Sequence, residues 1–295
     1  MNHSVLPSWL LDAALSDAPF ARAFDAVGGE RRALLKTAIA RLTAIYGIAD
    51  VVASREDRTY GAGFSFCRKT TVARCSLIVL CEGFASPAAL LASLVPALLA
   101  GVPDVVVVRL TGDDPEPWPD GMLCAMELAG QELAVDLDSE SFRALLADMP
   151  GAGIPCRCLA LGTPSEEVLA VLTAQRRRGL DYRILTEPSA LSAWFDPSFD
   201  YEAVAWAHPN AARTCWNAAE ENIPQWECVH GSWDEFIIQP SDVYLAPADL
   251  VADLQGGANL VLGPGAEGCW LYPELNLGYF QHHVVALGPE GMTRS

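Results

Sequence analysis

Hydrophobic and polar positions fall into two periods along this chain. The densest apolar stretch is residues 76–110, SLIVLCEGFASPAALLASLVPALLAGVPDVVVVRL. Residues 77–81 form an apolar run of strand length, too short for a core helix. Glu82-Gly83-Phe84-Ala85 turns the chain. Ser86 then stands as an N-cap, and Pro87 takes the first helical position, where its missing N–H costs nothing. Residues 88–100 are small or apolar on every side, which predicts a buried helix. Gly101 and Pro103 stop it. Residues 105–108 are a β-branched run typical of a strand covered on both faces. Strand, crossover helix and second strand make a parallel, right-handed βαβ unit.

The same reading extends to both sides. Residues 1–54 read as helical, with Leu34, Leu35, Ala38, Ile39, Leu42 and Ile45 on one face of a helix over 30–46. Residues 55–74 read as an extended ribbon entering the sheet. Helices are predicted at 122–130 and 138–149, and a strand at 158–161. A turn follows, Gly162-Thr163-Pro164-Ser165, leading into a helix over 166–178. That helix has acids at its start and Arg176, Arg177 and Arg178 at its end, which complements the helix dipole. A strand is expected at 182–185. Residues 186–240 show no clear period. Trp194, Trp206, Trp216, Trp226 and Trp233 lie there, and a small core is the natural use of so much aromatic area. Strands at 243–245 and 259–262, a helix at 247–254 and a last strand in QHHVVALG complete the pattern.

Strands alternating with helices predict an α/β protein of two lobes. Residues 74–187 form a doubly wound, Rossmann-like parallel sheet. Residues 188–295 form a smaller, reduced second α/β lobe. Residues 1–73, the N-terminal helices and ribbon, are expected to pack with the second lobe.

Charge narrows the partners. The 295 residues hold 37 acids against 19 Lys plus Arg, a net charge of −18. Nucleic acid and anionic membrane both require basic surface, so neither is expected. A small molecule and a second copy of the chain, a homodimer, remain. No apolar run is long enough to span a bilayer. The first residues lack a basic segment and cleavage pattern, so no secretory leader is expected. Nine cysteines, an odd number without CxxC spacing, fit reduced, mostly buried thiols in a cytoplasmic protein.

The strand, turn, Pro-containing helix and Ala-Gly-Val strand of residues 76–110 resemble the opening of the cofactor domain of histidinol dehydrogenases. Those enzymes share the aldehyde dehydrogenase-like fold. The resemblance runs from about residue 70 to about 287. Where the family has a Pro-Gly-Gly turn, this chain has Glu82-Gly83-Phe84. Where the family has Gly-Pro-Gly-Asn facing the cofactor, it has Gly162-Thr163-Pro164-Ser165. Gly83, Gly162, Thr163 and Ser165 are therefore the candidate cofactor-binding residues, with NAD the cofactor implied. Two acids, Glu166 and Glu167, follow that turn and oppose an anion. Glu187-Pro188-Ser189 stands for a family Gly-Pro-Ser.

The residues that carry the family's chemistry are replaced. The zinc-binding Gln-x-x-His falls on Ala205-Trp206-Ala207-His208, so His208 is the sole matching ligand position. The catalytic Glu-His pair falls on Ser241-Asp242. The zinc-ligating Asp of Pro-Glu-x-x-Gly-Asp-Tyr falls on Gly278. His283 matches a substrate-contacting histidine. A catalytic zinc site needs about three protein ligands, so no zinc and no resident cofactor are expected. The reading that follows is a catalytically degenerate protein of this fold with a small-molecule binding or interaction role. The alternative is an NAD(P)-dependent dehydrogenase of the histidinol or aldehyde dehydrogenase type. For it, Thr214-Cys215-Trp216-Asn217-Ala218 resembles the surroundings of the aldehyde dehydrogenase cysteine, and a thiolate at Cys215 would attack a carbonyl. Its catalytic candidates are His283, Asp242 and Cys215. A metal site built anew from His208, His230, His282 and His283 is a third reading, opposed by the strand geometry that turns adjacent histidines to opposite faces.

Overall fold

Three helices lead the chain: α1 (Ser8–Asp12), α2 (Asp17–Ala26) and α3 (Gly29–Tyr46). A hairpin follows, β1 (Ala53–Tyr60) and β2 (Phe64–Val72). The first lobe then runs β3 (Cys75–Leu80), α4 (Pro87–Leu99), β4 (Asp104–Leu110), α5 (Asp120–Leu128) and β5 (Ala134–Leu137). It continues with α6 (Ser139–Asp148), β6 (Cys156–Leu161), α7 (Glu166–Arg176) and β7 (Leu180–Leu185). Its parallel sheet has the order β5-β4-β3-β6-β7, so the winding reverses between β3 and β6. The computed structural model describes residues 4–49, 53–112, 116–149, 154–218, 222–254 and 258–289.

The second lobe repeats the scheme. It contains β8 (Ala190–Trp194), α8 (Tyr201–Ala207), β9 (Ala212–Trp216), β10 (Glu227–Val229) and α9 (Trp233–Ile237). After these come β11 (Val243–Leu245), α10 (Val251–Leu254) and β12 (Val261–Leu262). The order β10-β9-β8-β11-β12 is the winding of the first lobe again, all parallel. This lobe is reduced in strand length, with β11 only three residues and β12 two, and not in strand number. A 3₁₀ turn at Leu277–Phe280 leads into β13 (Gln281–Pro289), which pairs antiparallel with β2. The architecture is the two-lobed, Rossmann-like α/β fold expected from the sequence.

Local chemistry explains the organising unit. All six residues of β3 are buried, so its backbone polar groups must be satisfied by β4 and β6. Helix α4 is capped by Ser86, whose Oγ accepts from Ala89 N, with Pro87 next. Eleven of its thirteen residues are buried. The sheet covers one side of it, and α3 and α5 cover another through Leu35, Leu42, Leu91, Val95 and Ala125. Residues of both lobes share one apolar core, in which Ile78, Leu90 and Leu94 pack with Leu191, Val204, Val243 and Phe280.

The N-terminal helices touch both lobes. On the first, α2 lies against α5 and α3 against α4 and α5, which gives the all-apolar α4 its cover. On the second, Arg31 faces Asp200 and Glu202 at 3.4 Å each, Arg41 donates to Gly265 O, and Leu34 lies against Gly268. One expectation needs correction. Residues 55–74 do not enter a parallel sheet; they form the hairpin of a separate three-stranded antiparallel ribbon, β1-β2-β13. The tryptophans behave mostly as core. Trp194, Trp216 and Trp233 surround Phe236, and Trp226 is buried with its indole N–H on Tyr201 O at 3.1 Å. Trp206 instead lines a cavity beneath Arg31. All nine cysteines are free thiols, and no described helix is long and apolar enough to cross a membrane.

Arg157 holds the returning chain to the first lobe. It is the second residue of β6 and is only 7 % exposed. Its Nε donates to Tyr279 O at 2.6 Å and its Nη2 to Gln281 O, where β13 begins. The Tyr279 hydroxyl donates in turn to Cys158 O at 2.9 Å. Arg157→Met would leave two carbonyls without their charged donor, so it should cost about 2–4 kcal/mol in urea unfolding. Hydrogen exchange should show that loss first in residues 277–289; loosening of β3 and β4 before β13 would contradict this role.

Candidate functional site

The site is built around the N-terminus of α4. The turn after β3 is closed by Phe84 N donating to Cys81 O at 3.0 Å, with Gly83 at φ +78°. Gly162, at φ +89°, begins the turn after β6, and a Cβ there would meet Phe84 Cδ2 and Cys81 Cβ at 3.6 Å each. Phe84 is 7 % exposed and lies over Gly162. The crevice at the reversal of strand order, where open α/β sheets bind ligands, is thus filled by an aromatic ring. Glu187, just after β7, reaches back to the same place. Its Oε1 accepts from Ala85 N at 2.9 Å and Ser86 N at 3.0 Å. Its Oε2 accepts from Asn210 Nδ2 at 3.0 Å, and that amide also donates to Gly83 O at 2.7 Å. A carboxylate of the chain itself therefore sits at the positive end of a buried helix.

Ser86 links this point to His208. The Ser86 hydroxyl lies 2.8 Å from Ala207 O and 3.0 Å from His208 Nδ1, and it accepts from Ala89 N at 3.1 Å. Its single proton serves Ala207 O, so His208 Nδ1 must carry a proton and donate to Ser86 Oγ. The other ring nitrogen, Nε2, is then a bare acceptor, buried and unpartnered. Burial, with a smaller contribution from Arg213, pushes the His208 pKa down to about 3. The Trp270 ring stands 5.4 Å from the imidazole. Trp270 and Tyr272 line a cavity of about 290 Å³ between the lobes, together with Glu187, Asp242, Asn259 and Glu274. The Trp270 indole N–H and the Tyr272 hydroxyl are buried and unpartnered as well. Asp242 Oδ2 accepts from Ser189 N, Ser189 Oγ and Ala190 N at 2.6, 2.8 and 3.0 Å. Burial acts to raise its pKa, but these three donors together outweigh it and hold the carboxyl below its ordinary range.

No protein-family model matches the sequence, and no curated protein matches it. Solved structures do match in shape. Histidinol dehydrogenase from Elizabethkingia anophelis superposes over 94 % of this chain and 77 % of its own, with TM-score 0.56 and 12 % identity. An NAD-dependent benzaldehyde dehydrogenase from Corynebacterium glutamicum covers 96 % of this chain and 88 % of its own, at TM-score 0.48 and 10 % identity. Succinate-semialdehyde dehydrogenase from Burkholderia pseudomallei covers 96 % and 89 %, at TM-score 0.45 and 12 % identity. The fold is that of histidinol dehydrogenase.

Neither group that the histidinol dehydrogenase fold implies fits the residues present. For zinc, His208 offers one nitrogen, faced by Trp270, while Ala205 and Gly278 carry no donor atom. Among the described residues no three His, Cys, Asp or Glu side chains gather as a metal site. For a dinucleotide, Glu187 takes the N–H groups of Ala85 and Ser86 in the turn that enters α4, and Phe84 takes the switch crevice. The open space moves to a cavity of about 430 Å³ beside the turns after β3 and β4, with Glu82 and Glu116 on its wall. Arg109 also lines it, but its guanidinium is held by Asp136 at 2.7 and 2.8 Å and stacks on Trp118.

The structure disperses the catalytic candidates read from the sequence. Cys215 lies inside β9 with no exposed surface, so a carbonyl substrate cannot reach it in this conformation. His283 stands on β13 of the outer ribbon, its Nδ1 3.0 Å from Thr70 Oγ1. Asp242 lines the cleft cavity. Ser165 caps α7 through Val168 N at 3.3 Å, and Thr163 is exposed. Sequence reading overlooked Ser86 and Asn210 as partners of the cleft. The N-cap position of Ser86 was visible, but nothing local ties it to His208, 122 residues away.

The state of His208 gives a pH signature. A histidine whose folded pKa is depressed stays neutral while the unfolded chain takes up a proton. Stability is therefore full above pH 6.5 and falls as pH drops toward 3. Between pH 7 and 5 this one group should remove about 2 kcal/mol. Urea unfolding at those two pH values should show that difference in the native chain and its absence in His208→Gln. Equal pH dependence in both would contradict the buried neutral imidazole.

Proposed function

We propose that this chain is a catalytically degenerate protein of the histidinol dehydrogenase-like fold, which holds a small molecule in the cleft between its lobes without zinc. The observation that carries the reading is Glu187. Backbone N–H groups at a helix start are a general seat for phosphate, and here those of Ala85 and the N-cap Ser86 are held by an internal carboxylate. An added pyrophosphate would meet that charge at close range in a partly buried site, a repulsion of up to a few kcal/mol. The cavity lined by Glu187, Asp242, Trp270 and Tyr272 is of small-molecule size, about 290 Å³. The second reading is an NAD-dependent oxidoreductase of the histidinol or aldehyde dehydrogenase type. The shared fold and the 430 Å³ cavity at the sheet edge favour it.

Calorimetric titration with NAD⁺ and NADH separates the two. The degenerate reading expects a Kd of about 1 mM or weaker, and elemental analysis without stoichiometric zinc. Glu187→Ala frees Ala85 N and Ser86 N, so its affinity for NAD⁺ should rise by about tenfold over the native chain, provided thermal unfolding shows it folded. A low-micromolar Kd for the native chain would replace the degenerate reading with the oxidoreductase. Its chemistry would then rest on residues other than the buried Cys215.

A further inference from the structure

Four cysteines of the first lobe share one face of its sheet. Cys75, Cys81, Cys156 and Cys158 all pack in the apolar cluster to which α1, α6 and α7 contribute. Register sets two of them side by side. Cys75 opens β3, Cys156 opens β6, and the two are paired residues of the parallel ladder. Neighbouring strands lie about 4.8 Å apart. A disulfide accepts Cα separations of about 4.4–6.8 Å. The two thiols also hydrogen-bond to one another. Cys158, the next residue on this face of β6, is paired with Leu77 instead.

The contact divides the pair chemically. Cys75 donates to the Cys156 sulfur and so pulls the Cys156 thiol below its ordinary range; the neighbouring Arg157 charge helps, while burial and Asp104 oppose. The same contact pushes Cys75 up. Burial pushes the Cys81 thiol up to about 11 and raises Cys158 as well. Thiolate, not thiol, is the nucleophile. This face therefore holds one activated sulfur with a second thiol against it, the arrangement that turns a sulfenic acid into a disulfide.

Access is limited by size. Cys75 has no exposed surface and Cys156 is 3 % exposed. Cys156 nevertheless lines a cavity of about 20 Å³ near the ends of α6 and α7, with Leu146, Gln175 and the exposed Arg178 and Gly179 also on its wall. A space of that volume holds one molecule of about the size of water. Hydrogen peroxide is of that class, whereas a peptide disulfide is far larger. The cavity lies at the amino ends of β6 and β7, remote from the cleft between the lobes.

We propose that Cys75 and Cys156 form a dithiol site for hydrogen peroxide, which closes them to an intramolecular disulfide joining β3 to β6. The Cys156 thiolate attacks one peroxide oxygen, the O–O bond breaks, and the departing hydroxide takes the proton of Cys75 and becomes water. The Cys75 thiolate then attacks the sulfenic sulfur and the S–O bond breaks. The second hydroxide takes up the proton that Cys156 released on ionising, which gives the second water. Two electrons pass from the sulfur pair to the peroxide, so two thiols and one peroxide become one disulfide and two waters.

The test exposes the reduced full chain to hydrogen peroxide, and in parallel to oxidised glutathione, then denatures it in excess iodoacetamide. Non-reducing peptide mapping should find Cys75 joined to Cys156 in most peroxide-treated chains, with the bond reversed by dithiothreitol. Oxidised glutathione should form that bridge at least about tenfold more slowly, since it does not enter the cavity. Cys75→Ser should leave Cys156 as a sulfenic acid that dimedone traps. Cys156→Ser should slow the oxidation of Cys75 by at least about tenfold. Peroxide that oxidises the exposed Cys228 while Cys75 and Cys156 stay free, a bridge from either of them to Cys158, or a bridge formed as fast by oxidised glutathione would each overturn the proposal. If the serine variants do not fold, the mapping of the native chain decides.

Discussion

The turn into a helix buried on all sides must find partners for its N–H groups, and the turn into α4 finds them in Ser86 and Glu187. Ser86 Oγ takes the donor at Ala89, and Glu187 takes those at Ala85 and Ser86. Glu187 lies on the segment that leaves β7 for the second lobe, and Asn210, from that lobe, completes its hydrogen bonds. One carboxylate thus ends a helix of the first lobe, fixes the linker and engages the second lobe. The relative placement of the lobes, and the cavity between them, follow from that contact and from the apolar core they share.

The same contact bears on chemistry. A phosphate-binding helix start keeps its donors free and its approach clear. Here a glutamate holds the donors and Phe84 closes the approach over Gly162. His208 is likewise turned to internal partners. An imidazole that donates through Nδ1 to a serine and faces an indole through its other edge is a packed, neutral core group. The residues around these points keep the architecture while their polar atoms are turned to internal partners. The indole N–H of Trp270 and the hydroxyl of Tyr272, two residues of the cavity wall, are buried without an internal partner.

The repeated winding of the two lobes has its own economy. Each parallel sheet starts in its middle and grows outward to both sides. The second does so with strands of two to five residues. Short strands expose less backbone to satisfy, and the aromatic cluster around Phe236 supplies burial that longer strands would have given. The chain then returns through Arg157 to finish a ribbon begun some 200 residues earlier, joining sheet to ribbon by donors from a single guanidinium.

The sequence by itself determined the elements whose burial is complete. Residues 76–110 could only be strand, buried helix and strand, because their periodicity and their cap and stop residues agree. The acids and arginines of 166–178 marked the ends of α7 for the same local reason. Strong periodicity was absent from 186–240, where strands are short and tryptophan burial replaces alternation, so that lobe was legible only as a reduced partner. Cys215 and His283 looked reactive by neighbourhood, yet β9 buries the first and the ribbon carries the second away from the cleft. Tertiary structure alone decided that Glu187 meets the start of α4, that Ser86 fixes the tautomer of His208, and that α2 and α3 cover the first lobe. Those contacts join residues roughly 100 positions apart. Hydrophobic period and capping act within a few residues, whereas hydrogen-bond partners of that separation are chosen only once the sheets have packed.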